Sequence, residues 1–299
     1  MADGVFAMYN YYRQDWLLDR FGAMLTDVYG TEPCERTLFP AIGDDGVALD
    51  AFVAANAASS VDCDAESEGE VWAASGAIPE AATDDHPFPY LRGRVPPTVY
   101  LVTLGTILVV SVLAIRVAAG PLRQMKPFLD LFFLGVAFLL LETKNIVQFA
   151  LLFGTTWFVN ALVFGGVLLS VLLAIAVSRR VTFRHPLRLY AVLAASIAVA
   201  FFLPASALLN LPAVLRFLAA VAIAFTPIFT ANLVFTQRFK SAGDSTTAFG
   251  ANLLGAMVGG VLEYFAPVTG YRMLLVVVAV IYGLAFLTGR RHLTTFAAT

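Results

Sequence analysis

LLLETKNIVQFALLFGTTW, residues 139–157, sets Glu142 and Lys144 two residues apart inside an otherwise apolar run. The apolar residues before and after them form a stretch long enough for a bilayer crossing, which takes about 20 residues. A charged side chain near the middle of such a span costs at least about 2.5–3.5 kcal/mol, so each charge needs a partner, a water-filled cavity or a break in the helix. In a regular helix, residues two apart point about 200° apart, so Glu142 and Lys144 meet only if the helix is broken. Asn145 and Gln148 lie three and six residues beyond Glu142 and share a drifting polar stripe with it. Asn160 extends the polar content into the next span.

Outward from this stretch the chain repeats the same pattern. It has 299 residues, 59% of them hydrophobic, with a mean hydropathy of +0.79, a composition that belongs to membrane proteins. Seven apolar segments are predicted to span: 98–118, 128–152, 155–178, 188–208, 212–235, 247–267 and 272–289. The expected class is mainly α, a polytopic bundle of about seven segments over residues 96–299, multi-pass in the cell membrane with the lipid bilayer as its first partner. Residues 1–96 differ sharply. They carry 17 acidic and 5 basic side chains, whereas residues 97–299 carry 4 acidic and 14 basic. An acidic extramembrane part also argues against nucleic acid as a partner.

Within residues 1–95 the order is strand, helix, strand. DGVFAMYNYY (3–12) reads as a strand, RQDWLLDRFGAMLTDVYG (13–30) as a helix closed by Gly30, and Glu35 to Phe39 as a second strand. GVALDAFVAA (46–55) suits a third strand or a short helix. The acidic stretches 61–70 and 82–87 read as solvated loops. Cys34 and Cys63 have no CxxC spacing and no histidine at ligand distance, so a zinc site is not expected; they read as free thiols or small core residues. The start, MADGVFAMYNYYRQDW, lacks a basic region and an apolar core, so insertion is expected to rest on the later helices.

Other features carry structural alternatives. Glu263 stands near the end of the sixth segment, either as a partner for Lys144 or Arg216 or at the headgroup level. FGANLLGAMVGG (249–260) sets Gly255 and Gly259 at GxxxG spacing, with Ala251 on the same small-residue face, and predicts close helix packing. Pro227 marks a kink. No Walker sequence, HExxH, nucleophile elbow or glycine-rich dinucleotide loop is present, so no catalytic, cofactor-binding or metal residue is assigned.

Four blocks, DGVFAMYNYYRQDWLLDR, TDDHPFPYLRGR, FLGVAFLLLETKNIVQFALLFGTTWFVNAL and FGANLLGAMVGGVLEYFAPVTGYR, resemble the spermidine synthase-like membrane proteins. In these a polyamine aminopropyltransferase-like Rossmann domain is fused to transmembrane helices. The resemblance implies that residues 1–95 are the C-terminal remnant of the Rossmann-like domain. An S-adenosylmethionine-type cofactor is then expected only in a complete parent, with a separate or upstream catalytic half as partner and a polyamine as possible ligand. Tyr9, Asn10, Tyr11 and Tyr12 border the missing site, because α/β ligands bind at the carboxyl ends of strands, or else the aromatics only pack the helix. Chain activity alone is not expected. The alternatives are a transporter or channel-like module lined by Glu142, Lys144, Asn145 and Gln148, or a purely structural anchor.

Basic residues flank the segments in four clusters: 116–126, 179–188, 238–240 and 290–291. Seven complete crossings put all four in the cytoplasm and residues 1–96 outside. A re-entrant segment around Glu142 keeps three clusters inside and makes the N-terminal part cytoplasmic. The resemblance favours this second topology.

Overall fold

The computed structural model describes residues 4–42, 46–56, 61–63, 69–181, 183 and 185–295, without the side chains of residues 186 and 291–295. Residues 1–95 and 96–299 form two compact units.

In the first unit, strand β1 (Val5–Tyr12) leads into helix α1 (Asp15–Tyr29), which is followed by β2 (Cys34–Phe39), β3 (Ala48–Ala55) and the short β4 (Glu70–Val71). Gly30, at φ 73°, ends α1, its N–H donating to the Thr26 carbonyl at 2.8 Å. This is the left-handed cap that glycine adopts without a Cβ penalty. Segment 46–55, open between strand and helix in the sequence, is the strand β3. The sheet order is β1-β3-β2-β4, and β3 runs antiparallel to both β1 and β2. Hence β1 and β2 run parallel to each other, with α1 as the crossover and β3 inserted between them. Leu25 of α1, Phe52 and Ala54 of β3, and Trp72 form the core, with Met8, Leu18 and Phe21 packed against it.

One reading of this unit changes. Cys34 and Cys63 are joined in a disulfide, with Cα atoms 5.4 Å apart; they are not free thiols. Spacing rules detect metal sites and redox motifs, but a disulfide across 29 residues depends on how the chain folds back. The acidic stretch 82–87 is a loop without helix or strand, in which Thr83 and His86 exchange backbone hydrogen bonds. Half of 61–70, residues 64–68, lies outside the described residues. The chain after this turn is held by Arg20, buried in α1, which donates to the carbonyls of Pro89 (2.5 Å), Leu91 (2.7 Å) and Arg92 (3.2 Å).

The second unit is helical. Its helices are α2 (Thr98–Ala119), α3 (Leu129–Phe153) after a 3-10 turn (Leu122–Phe128), α4 (Trp157–Arg180), α5 (Pro186–Phe202), α6 (Ala205–Leu209), α7 (Ala213–Lys240), α8 (Ser245–Leu262), α9 (Ala266–Thr269) and α10 (Tyr271–Thr295). Among the described residues, six helical segments are long and apolar enough to cross a membrane. The fourth expected segment, 188–208, is divided. Pro204 has no N–H to continue the ladder and pushes Leu203 out of the helical region, so α5 stops at Phe202 and α6 restarts at Ala205.

Helix α3 is the central element, packed against α8, α10, α7 and α4, while α5 lies on α7 and α10. Helix α2 touches the bundle mainly along α8, and only 6% of its apolar window is buried inside the protein. Its remaining surface suits lipid chains, since apolar side chains facing outward need an apolar solvent.

Candidate functional site: the polar seam of the bundle

Helix α3 is continuous from Leu129 to Phe153, which removes the break or re-entrant turn expected at Glu142–Lys144. In an unbroken helix successive polar side chains leave in different directions, and each meets a different neighbour. Lys144 is buried at 8% exposure and donates to the side-chain oxygen of Gln148, one turn on. Asn145, 1% exposed, donates to the Ala224 carbonyl of α7 at 3.0 Å. That bond falls in the turn before Pro227, where the missing N–H leaves the Ile223 carbonyl without its ladder donor. Helix α7 nevertheless continues through Pro227 to Lys240. Thr143 donates to Glu263 at 3.1 Å. Glu263 pairs with neither Lys144 nor Arg216, whose guanidinium reaches the Leu211 carbonyl at 3.3 Å.

The expected group of Glu142, Lys144, Asn145, Gln148, Asn160 and Glu263 is therefore not one site. Lys144 and Gln148 pair, Asn145 ties α3 to α7, and Glu263 joins the turn after α8 to α3. Asn160 lies exposed on the first part of α4. Glu142 is half-buried, and among the described residues its carboxylate has no hydrogen bond or ion pair.

The small-residue face of α8 lies against α3 at Gly255 and Gly259. A Cβ on Gly255 would strike the Phe132 carbonyl, one on Gly259 would lie 2.6 Å from the Val136 carbonyl, and one on Gly135 would strike Asn252. Helices α3 and α8 thus approach backbone to backbone, the contact that small residues permit. Ala251 sits at the edge of this seam, in a cluster with Ile115, Ala119 and Met125. Asn252, which the sequence reading passed over, locks the seam by donating to the Leu131 carbonyl at 2.9 Å.

The other missed group is an ion pair. Arg238 of α7 bonds Asp130 of α3 at 2.5 and 3.5 Å, with both side chains about as buried as the core. The guanidinium also lies 5.8 Å from the Phe128 ring centre. Asp130 was legible as the one acid in FLDLFF. Counting crossings from the basic clusters sets it at the same end as Arg238, a signal that could have suggested the pair. Around it, Lys240 donates to the Ser178 carbonyl, Gln237 to the Val181 carbonyl at 3.2 Å, and Thr247 to the Ala119 carbonyl at 3.2 Å. The last carbonyls of α2 and α4 thereby find donors. Asp244 caps α8 by accepting from the Thr246 and Thr247 N–H groups at 3.1 Å. The Thr247 hydroxyl and these N–H groups hold its carboxyl below the usual range.

In the first unit, strand alternation separates the four residues singled out on β1. Tyr9 and Tyr11 are 73% and 62% exposed, whereas Asn10 and Tyr12 turn to the opposite, partly buried face. Asn10 donates to the Tyr90 hydroxyl at 3.3 Å. Tyr12 lies near Asp50, and burial first, then that carboxylate, raises its phenol above the ordinary value. Asp50 is 1% exposed, and neither of its oxygens has a hydrogen-bond partner in good geometry. Close by, burial together with Asp50, Asp19 and Glu70 pushes the Glu35 carboxyl up to about 7. Among the described residues no group of three His, Cys, Asp or Glu is arranged to hold a metal.

Several polar side chains of the bundle, among them Asn145, Asn252, Thr143, Asp130 and Arg238, thus spend their hydrogen bonds on other helices. This arrangement fixes helix positions and leaves Glu142 as the acid not so employed. Comparison with protein-family models, with curated proteins and with solved structures finds no match for this chain.

Proposed function

We propose that the chain is a membrane-embedded spermidine synthase-like protein in which the helical bundle acts as an anchor. Its extramembrane unit is the closing part of a transferase-type α/β sheet, and the chain alone does not carry out aminopropyl transfer. The observation that carries this reading is that β1 and β2 run parallel, joined through α1, with the antiparallel β3 between them. Parallel strands need such a crossover, and it is the building unit of Rossmann-like domains.

A second feature of β1 supports it. VFAMYNYY has no charge and no proline, yet among the described residues β1 pairs only with β3. Edge strands normally carry charges, prolines or bulges that block further pairing. An uncharged eight-residue edge suits a strand that continues into a larger sheet, supplied by the same polypeptide or by a partner chain.

The disulfide and the basic loops bear on orientation. With α5 and α6 counted together as one crossing, seven crossings bring the basic ends of α2, α4, α7 and α10 to one side, the cytoplasm by the positive-inside rule. Residues 1–95 then lie outside, where the Cys34–Cys63 disulfide would persist. This reverses the cytoplasmic orientation that the resemblance favoured, and it separates the unit from a cytosolic S-adenosylmethionine-type cofactor. An anchoring or partner-binding role agrees with that separation better than catalysis does.

The test is transfer by the reconstituted full chain, supplied with decarboxylated S-adenosylmethionine and putrescine. No spermidine above the protein-free background is expected; turnover would overturn the reading. Glu142 supports a second reading, transport of a cationic solute, because it is half-buried in an apolar helix without a partner among the described residues. In that case proteoliposomes take up labelled putrescine and Glu142→Gln abolishes the uptake. Uptake that ignores the substitution removes Glu142 from any such path.

A further inference from the structure

We infer that the basic end of the bundle binds an anionic phosphate group, that of a lipid headgroup or of a soluble phosphoryl compound, between the start of α3 and the end of α10. The inference depends on the bundle's membrane placement and is independent of the transferase reading. A cavity of about 360 Å³ opens there, with Lys126 and Arg290 among its lining residues. This volume lies at the lower end of small-molecule sites, which run from about 300 to 1,000 Å³.

Charge decides what the cavity accepts. Asp130 lines it, but the carboxylate is already engaged by Arg238 at 2.5 Å in a buried pair. Lys126 and Arg290 are exposed, and among the described residues neither cationic side chain has a hydrogen bond or ion pair. With Asp130 neutralised by Arg238, these two cations leave the lining positive. Arg238 and Lys240 at this end are committed elsewhere, to Asp130 and to the Ser178 carbonyl. Lys126 and Arg290 are set apart from the other exposed basic residues, such as Arg123, Arg179 and Arg180, by lining one cavity together.

The walls add a second requirement. Pro127, Leu129 and Leu287 also line the cavity, and Leu129 and Leu287 are 43% and 54% exposed. Cations and exposed aliphatic side chains occur together at the ends of apolar spans, where a phosphodiester would meet the cations while its glycerol and acyl carbons lie against leucine. Basic pockets between transmembrane helices on the cytoplasmic side are suited to such headgroups. The Thr288 hydroxyl is occupied with the Leu284 carbonyl at 2.7 Å, so the cations supply the recognition.

The full chain, reconstituted in bilayers of equal phosphatidylglycerol and phosphatidylcholine and then extracted, is tested for the lipids it retains by mass spectrometry. Phosphatidylglycerol is expected to be enriched, and Lys126→Gln and Arg290→Gln are each expected to lower the enrichment roughly five-fold. Arg179→Gln with Arg180→Gln should leave it unchanged. Equal loss in that control, or full enrichment in the Lys126→Gln/Arg290→Gln double variant, would overturn the site. Added inorganic phosphate distinguishes the sources: displacement of the retained lipid identifies a site open to soluble phosphate, and persistence identifies the headgroup. Should a glutamine variant lose the fold, salt decides on the wild-type chain. Enrichment that survives molar salt unchanged would refute an ionic site, and enrichment that declines supports it.

Discussion

At the scale of single residues, the bundle shows how a low-dielectric interior changes the value of a charge. Asp130 and Arg238 are both shielded from solvent and bonded at 2.5 and 3.5 Å. Removing one partner leaves the other as an uncompensated buried charge, which costs about 3–5 kcal/mol, whereas replacing both with apolar residues is often neutral. Asp130→Asn and Arg238→Met are each expected to lower stability by that order, and Asp130→Leu combined with Arg238→Met to recover most of it. Thermal unfolding in detergent measures the difference; additive losses in the double variant would show that the pair is not coupled. The contrast with Glu142 and Lys144 is instructive. The two charges nearest in sequence do not pair, and the two that do lie 108 residues apart. An intact helix sends residues two apart to opposite sides, so sequence proximity was misleading there.

At the scale of elements, α3 and α8 form the closest seam. Its small residues were legible because GxxxG spacing puts Gly255 and Gly259 on one helix face, and the backbone contacts at Phe132 and Val136 follow from it. A side chain at Gly255 would have to push two backbones apart, and overpacking of this kind typically costs about 1–3 kcal/mol. Gly255→Leu is expected to destabilise the chain by at least that order. Gly165→Ala, where an added Cβ meets nothing within 4 Å, is expected to be neutral or to stabilise by up to about 1 kcal/mol through helix propensity. Equal melting temperatures for both variants would contradict the assigned seam. The partner of the small face was not legible: a pattern along one helix states which side is small, but not which helix meets it.

At the scale of the whole molecule, two units with opposite charge balance share one chain. The acidic one carries the disulfide, and the apolar one keeps its basic residues mostly at one end. If residues 1–95 lie outside the cytoplasm, a membrane-impermeant maleimide applied to intact cells is expected to label Cys34 and Cys63 only after reduction. Labelling that requires cell lysis, or that occurs without reduction, would return the unit to the cytoplasm or remove the disulfide. The continuity of α3 bears on the same question, because the re-entrant segment that would have made the N-terminal part cytoplasmic required a break that the helix does not have.

The sequence by itself determined the membrane class, the position of nearly every helix, the change of environment near residue 96 and the order strand, helix, strand in the first unit. These are local properties: the length of an apolar run is set against a fixed bilayer thickness, and the hydrophobic period distinguishes helix from strand within a few residues. Only the tertiary structure decided the insertion of β3 between β1 and β2, the Cys34–Cys63 disulfide, the Asp130–Arg238 pair and the bond from Asn145 to α7. Each of these depends on the depth and rotation at which distant segments pack. Groups 29, 79 or 108 residues apart meet through that packing, and no local pattern encodes it.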